Sequence, residues 1–282
     1  MELWFKEEQT PHLGIVLRVK ETLLRKRSGF QDIAVLDTLQ YGRALVLDGI
    51  IQTTEGDEFA YHEMLVHVPL LTHPEPRRVL IVGGGDGGAV REVLRHPQVE
   101  SVFLVEIDRE VVEASRRFLP GLSCALDDPR VTVVYQDGAE FVAGAQGEFD
   151  VILVDSTDPV GPAVPLFRGP FYSAVARALR PDGLVVAQTE SPFVNGPVIS
   201  QVFGEVRQRF PVARVYLACV PTYPGGMWTF TLGSLRYDPL GPDTGLGRGR
   251  PVPSGLRYYS AQIHAAAFAL PPFVAPLLGP GP

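Results

Sequence analysis

Two changes of rhythm along the 282-residue chain predict an α/β protein with a small antiparallel β domain over residues 1–56 and a larger, mostly parallel domain over 57–282. Near residue 58, short alternating β runs give way to a regular strand–helix–strand order. The later strands are continuous apolar runs, as parallel strands covered on both faces must be. The last two β runs are joined only by TYPGG, too short for a crossover and therefore a hairpin.

Each element follows from local pattern. HLGIVLRV (12–19), FQDIAVLDT (30–38) and RALVLDG (43–49) are β-branched with period-two alternation, as in an antiparallel sheet. The RKR at 25–27 between the first two reads as a solvated turn. EFAYHEMLVHVPLL reads as a helix that ends at Pro74. RVLIV (78–82), SVFLVEID (101–108), VTVVYQD (131–137), FDVILVD (149–155) and GLVVAQT (183–189) read as buried strands. GGAVREVLRH (87–96) and EVVEASRRFL (110–119) read as helices between them. ARVYLACVP (213–221) and MWTFTLGS (227–234) form the hairpin, and the Gly/Pro-rich 238–255 reads as a surface loop. A parallel sheet ending in an antiparallel hairpin is the methyltransferase-like variant of the Rossmann fold.

Bulk properties narrow the function. A formal charge of −7 argues against nucleic acid, which wants a basic face, and is compatible with a cationic ligand. Cys124 and Cys219 make neither a disulfide framework nor a metal-ligand spacing, so a reducing cytoplasm is expected. The opening MELWFKEEQ is too charged for a signal peptide, and no apolar run approaches the ~20 residues of a membrane span.

The chemistry concentrates at strand ends. Gly83, Gly85 and Gly88 match G-x-G-x-x-G directly after a strand and before a helix, where glycine lets the backbone approach a ligand. Glu106 ends the next strand at the spacing expected for a carboxylate that accepts ribose hydroxyls, and Asp137-Gly138 ends the one after, facing an adenine. Asp86 inside the glycine loop selects among adenosyl donors. It would repel the carboxylate of S-adenosylmethionine, two like charges ~4 Å apart costing ~4 kcal/mol at an effective dielectric near 20. The ammonium of a decarboxylated donor reverses that sign. Asp155 and Asp158, three apart on a proline-bounded turn, suit a diamine: one anchors an ammonium while the other accepts the proton that must leave. His62-Glu63 lacks a second histidine four residues on, so no metal site is expected. Tyr223, on the hairpin turn, could overhang the pocket as an aromatic wall for an alkyl-ammonium.

These residues stand in longer stretches: GRALVLDGIIQTTEGDEFAYHEM, VLIVGGGDGGAVREVLRHP, VEIDREVVE, DDPRVTVVYQDGAEF, FDVILVDSTDPVGPA, VPTYPGGMWTFTLGS and RYYSAQIHAAAFALPPF. Together they cover nearly the whole chain, and it resembles the polyamine aminopropyltransferases, the spermidine synthases in particular. The resemblance implies contacts to the adenosyl donor or methylthioadenosine from Gln31, Glu106, Asp137, Gly138 and Pro162, beside Gly83 and Gly85 of the loop. It implies contacts to the aminopropyl end from Asp86 and His62, a proton acceptor in Asp155, and an amine groove of Asp158, Tyr61, Gln52, Gln188 and Tyr223. It also implies a homodimer or homotetramer built partly through the N-terminal strands.

The expected reaction is transfer of an aminopropyl group from decarboxylated S-adenosylmethionine, a co-substrate, to putrescine, giving spermidine and methylthioadenosine. No metal or redox cofactor is expected, and no nucleic-acid or membrane partner. Agmatine, cadaverine or spermidine as acceptor remain alternatives. A methyltransferase or a non-catalytic polyamine-binding protein fits the carboxylates less well. The chain departs from the family at Gly56, where an arginine is common, and in its shorter 238–255 loop.

Overall fold

The computed structural model describes residues 2–279. The first sheet is antiparallel with five strands in sequence order: β1 (Leu3–Thr10), β2 (Leu13–Arg27), β3 (Asp32–Thr38), β4 (Gly42–Leu47) and β5 (Ile50–Thr54). Its alternation buries two faces. Ile33, Val35, Leu45 and Leu47 pack on Val111, Leu119 and Leu122 of the following domain, while Leu17, Val19, Leu36, Val46 and Ile51 form a second small cluster.

Sequence pattern alone left out β1 and β5 and misplaced one turn. Residues 25–27 are not a turn but the solvated end of the long β2, where Arg27 pairs with Asp32 at 3.1 Å and Lys26 with Glu110. The chain reverses after them, where the Ser28 hydroxyl accepts from the Phe30 and Gln31 amides at 3.0 and 3.1 Å.

The second sheet follows in alternation: α1 (Glu58–Thr72), β6 (Arg78–Gly83), α2 (Gly88–Val93), β7 (Ser101–Glu106), α3 (Arg109–Phe118), α4 (Pro120–Ser123), β8 (Val131–Tyr135), α5 (Gly138–Gly144) and β9 (Phe149–Asp155). Then come α6 (Gly169–Ala178), β10 (Leu179–Gln188), α7 (Gly196–Arg207), β11 (Val212–Cys219), β12 (Met227–Ser234) and α8 (Ala261–Ala267). The strand order is β11-β12-β10-β9-β6-β7-β8, parallel from β10 to β8, with β12 antiparallel to both of its neighbours. That is the expected Rossmann-like sheet closed by a hairpin. Alternate residues of each central strand face opposite layers: Ile81, Leu104, Leu153 and Val186 meet α1 and α2, while Leu80, Val82, Ile152 and Val185 meet α5, α6 and α7. Both faces being covered explains why the strands read as unbroken apolar runs.

The 238–255 segment is the expected irregular surface loop, exposed or half-buried over most of its length, and it is anchored to the end of α1. The Leu246 amide donates to Leu71 O at 2.9 Å. Arg250 donates to the carbonyls of Leu70, His73 (3.1 Å) and Pro74 (3.2 Å). Pro74 stops α1 and leaves its last carbonyls without helical partners, and this segment supplies the donors. Next along the chain, the Glu63 carboxylate accepts from the amides of Arg257, Tyr258 and Tyr259 at 2.7–2.8 Å, fixing the C-terminal stretch to the same helix. No helix of the described residues is long and apolar enough to cross a membrane.

Candidate active site

Strand order reverses at β6, which has β7 on one side and β9 on the other. Ligands in open α/β sheets bind in the crevice outside the strand ends at such a point. Here the register pairs Gly83 with Asp155. Gly83 has a φ of +83°, and a Cβ there would lie 2.2 Å from Asp155 O, so only glycine lets the loop after β6 run against the loop after β9.

The cleft so formed is lined by Gln31, Gly83, Gly85, Asp86, Glu106, Asp137, Gly138, Asp155 and Pro162. Most of these side chains are already braced. Asp137 caps α5, accepting from the Ala139 and Glu140 amides at 2.7 and 3.0 Å. Asp108 caps α3 and accepts from Gln31 Nε2 at 3.0 Å and from the Ser28 hydroxyl at 2.6 Å, which ties the N-terminal sheet to the cleft rim. Glu106 accepts the Asp108 amide at 2.9 Å. Burial pushes the Glu106 carboxyl up to about 7, against the amides of Asp108 and Gly85, which hold it down.

A narrower groove adjoins the cleft, lined by Gln52, Tyr61, Asp158, Gln188, Tyr223 and Trp228. Tyr223 donates to Gln52 O at 2.6 Å, and its ring meets Tyr61 at 5.7 Å and Trp228 at 4.5 Å. The turn that carries it is anchored by Asp57, whose carboxylate accepts from the Thr222 amide and hydroxyl at 2.8 and 2.7 Å. Gln188 donates to Ser156 O at 3.0 Å, holding the loop after β9. Tyr61, Gln52, Ser156 and Tyr223 line both spaces.

Asp155 lines the larger cleft beside Tyr61 and Ser156, which line both. Tyr61 donates to its Oδ1 at 2.7 Å, whereas Oδ2 is buried without a partner. Burial and the nearby Asp86 push the Asp155 carboxyl up to about 6, and His62 and the Tyr61 hydrogen bond restrain the rise. Asp158 is likewise raised, chiefly by burial. A carboxylate in the larger cleft, bonded to a tyrosine that also lines the narrower groove, can take a proton from an amine entering from that groove.

One sequence-derived residue is placed differently from the rest. The His62 side chain does not line either space; it lies buried behind Asp86, with Nδ1 2.7 Å from Glu58 Oε2 and Nε2 3.4 Å from Asp86 Oδ1. The expected direct contact of this ring with an amine is replaced by contact with Asp86. Asp86 also accepts the Gly88 amide at 2.7 Å, so it braces the start of α2 while lining the cleft.

Sequence reasoning passed over three acids. Glu7, inside the charged run of β1, is 1% exposed, accepts the Ile51 amide, and is pushed up to about 7 mainly by burial. Glu190 sits just beyond Gln188 at a φ of +77°, buried, with Oε2 accepting from Asn195 at 2.6 Å and Oε1 unpartnered. Burial and Asp158 drive its carboxyl well above the ordinary range. The third, Glu58, backs His62. Alternation within LWFKEEQT was the available signal for Glu7, and none existed for the strained Glu190.

The spermine/spermidine synthase domain model matches residues 58–238, and the spermidine synthase tetramerisation domain model matches 3–55. The chain belongs to the spermine/spermidine synthase family. It is an enzyme of the polyamine aminopropyltransferase class. It is 53% identical over 278 residues to the polyamine aminopropyltransferase of Caldicellulosiruptor bescii, covering 99% of both chains. The Moorella thermoacetica aminopropyltransferase is 53% identical over 277 residues, with 98% of this chain and 96% of that one covered. Among solved structures, a spermidine synthase in complex with the transition-state analogue AdoDATO superposes with a TM-score of 0.95 at 43% identity, over 98% of this chain and 95% of that one. The spermidine synthase of Thermotoga maritima gives 0.92 at 42% identity, over 98% and 94%.

Proposed function

We propose that this aminopropyltransferase moves an aminopropyl group from decarboxylated S-adenosylmethionine to putrescine, producing spermidine and methylthioadenosine. The observation that carries the reading is Asp155, which lines the larger cleft, is bonded to a tyrosine that also lines the narrower groove, and keeps one oxygen free. Glu106 and the Asp137-Gly138 pair would hold ribose and adenine, and Gly83 and Gly85 would let the donor lie against the loop. Gln31 and Pro162 would close the donor's far side. Asp86 would face the donor's terminal ammonium, the charge its position favours.

Putrescine would lie in the groove, one end toward Asp158 and Gln188, its methylenes against Tyr61 and Tyr223, with Gln52 at the wall. Asp155 takes a proton from the attacking ammonium. The freed lone pair forms a bond to the carbon beside sulfur, and the carbon–sulfur pair returns to sulfur. Positive charge passes from the sulfonium to the new secondary ammonium, and neutral methylthioadenosine leaves. Alignment of the two substrates supplies much of the rate, because a sulfonium is already a good leaving group. The N-terminal sheet, which matches a tetramerisation domain, would join copies of the chain in a cytoplasmic homo-oligomer.

An acceptor panel tests this. Decarboxylated S-adenosylmethionine would be supplied with putrescine, cadaverine, agmatine or spermidine, and methylthioadenosine followed by chromatography. Preference for putrescine is expected. Preference for another amine would move the acceptor assignment and keep the chemistry; no methylthioadenosine with any amine would overturn the reading.

A further inference from the structure

Behind Asp86 runs a row of buried charges that the transfer chemistry above does not use. His62 Nε2 lies 3.4 Å from Asp86 Oδ1, and His62 Nδ1 lies 2.7 Å from Glu58 Oε2. Arg91 grips both oxygens of Glu58 through Nη2, at 3.0 and 2.8 Å. Arg91 is itself fixed, donating Nε to Glu92 at 2.8 Å and Nη1 to Gly121 O at 3.0 Å. His62 is 1% exposed and Glu58 7%. The backbone makes room for the ring: a Cβ on Gly88 would lie 2.3 Å from His62 Cε1.

We propose that Glu58 is a positioning residue, which Arg91 holds in place and which fixes the His62 ring against Asp86, so setting the charge that Asp86 and Asp155 experience across the cleft. Only its kinetic readout rests on the aminopropyl-transfer reading.

The chemistry of the ring supports this. A neutral imidazole has one donor nitrogen, yet both ring nitrogens here face carboxylate oxygens, and only the imidazolium donates to both. Burial by itself would lower the pKa of His62; Asp86 and Glu58 outweigh it and hold the ring well above its ordinary value. Burial would likewise raise Glu58, but hydrogen bonds and charge from His62 and Arg91 bring it down to about 2, so it stays ionised at any working pH. The row therefore alternates in sign from Arg91 to Asp86. Asp155 feels its near end, since His62 is among the groups that restrain its rise. Tyr61 from α1, Tyr223 from the hairpin and Glu106 from β7 also face this region, and they carry no cation that could replace the ring.

Glu58→Gln keeps the size and a hydrogen-bond acceptor while removing the charge. The ring then loses one of its two carboxylates, and Asp155 loses a cation. The acid limb of the kcat/KM profile should move up by about half a unit or more, a change a purely structural ion pair would not produce. In a His62→Gln background, Glu58→Gln should move the limb no further, because the effect passes through the ring. Nitrogen NMR of the imidazole should find His62 charged at pH 7.5 in the wild type and neutral in Glu58→Gln. A neutral His62 in the wild type, or an unmoved limb in folded Glu58→Gln, overturns the proposal. If the variant does not fold, the wild-type ring spectrum decides alone. That spectrum is also independent of turnover, so inactivity toward every amine would defeat the transfer reading and leave this one standing.

Discussion

Tyr61 donates to Asp155 Oδ1 at 2.7 Å and leaves Oδ2 buried without a partner, so one oxygen of the carboxylate is fixed while the other is free to take a proton. The glycine loop protects that vacancy in bonding. A side chain on Gly84 would put its Cβ 2.8 Å from Asp155 Oδ2. A buried acceptor with nothing to accept costs stability, of order 1–3 kcal/mol. Such a cost is tolerated where the atom has a chemical task.

Asp155→Asn should therefore lower kcat by ~10²-fold or more, the usual size of an acid–base contribution. Methylthioadenosine binding, followed by calorimetry, should survive, because Glu106 and Asp137 are untouched. Turnover within a few-fold of wild type would remove Asp155 from the role of proton acceptor.

The pH profile should carry the same residue. Asp155 accepts a proton only when ionised, and its carboxyl stands at about 6, raised mainly by burial. Activity should fall as pH drops through about 6. Glu106, at about 7, titrates over the same range, so the shift of the limb between wild type and a variant, rather than its position alone, reports Asp155. Tyr61→Phe removes a hydrogen bond that favours the charged form, so the limb should shift upward in that variant. A wild-type limb near 4, where an unperturbed aspartate titrates, would contradict the buried environment.

Much of this was legible in the chain because the signals are local. Strand ends are where chemistry gathers in a parallel sheet, so Gly83, Glu106, Asp137 and Asp155 declared themselves by following apolar runs. The hairpin was read from TYPGG, and with it the place of Tyr223. What failed was long-range. Glu7 reaches the groove region only because β1 folds back to bring its carboxylate against the Ile51 amide of β5. Glu58 lies one helical turn before His62, yet its role depends on Arg91 from α2. Composition marked 238–255 as a surface loop, but not its anchoring, through Arg250, to the stranded carbonyls at the end of α1.

Glycine packing offers a clean contrast. Gly88→Ala places a Cβ 2.3 Å from the His62 ring, which is walled in by Glu58 and Asp86 and cannot retreat. We expect a loss of ~1–3 kcal/mol in unfolding free energy and a raised KM for the adenosyl donor. Gly204→Ala, within α7 and with no atom within 4 Å of its added Cβ, should instead stabilise by ~0.5–1 kcal/mol with unchanged kinetics. Denaturant melts of the two variants beside wild type check both, and equal effects would refute the close-contact argument.

Glu7 gives a pH test of stability that is separate from turnover. Its carboxyl is pushed from 4.5 to about 7, first by burial and also by Asp158, with the Ile51 amide opposing. The folded protein thus keeps a proton that the unfolded chain releases above pH 4.5. Stability through this group is complete below 4.5 and is lost as pH rises through 7. Other buried groups titrate over the same range, His96 among them with its pKa well lowered by burial and His67, so the total curve is not diagnostic. The difference between wild type and Glu7→Gln is diagnostic, because it cancels the shared groups. Wild type should lose ~1–3 kcal/mol relative to the variant between pH 4.5 and 7.5, one pKa unit being worth ~1.4 kcal/mol. Thermal melts of both proteins at each pH measure it, and parallel curves would mean that Glu7 titrates as an ordinary exposed glutamate.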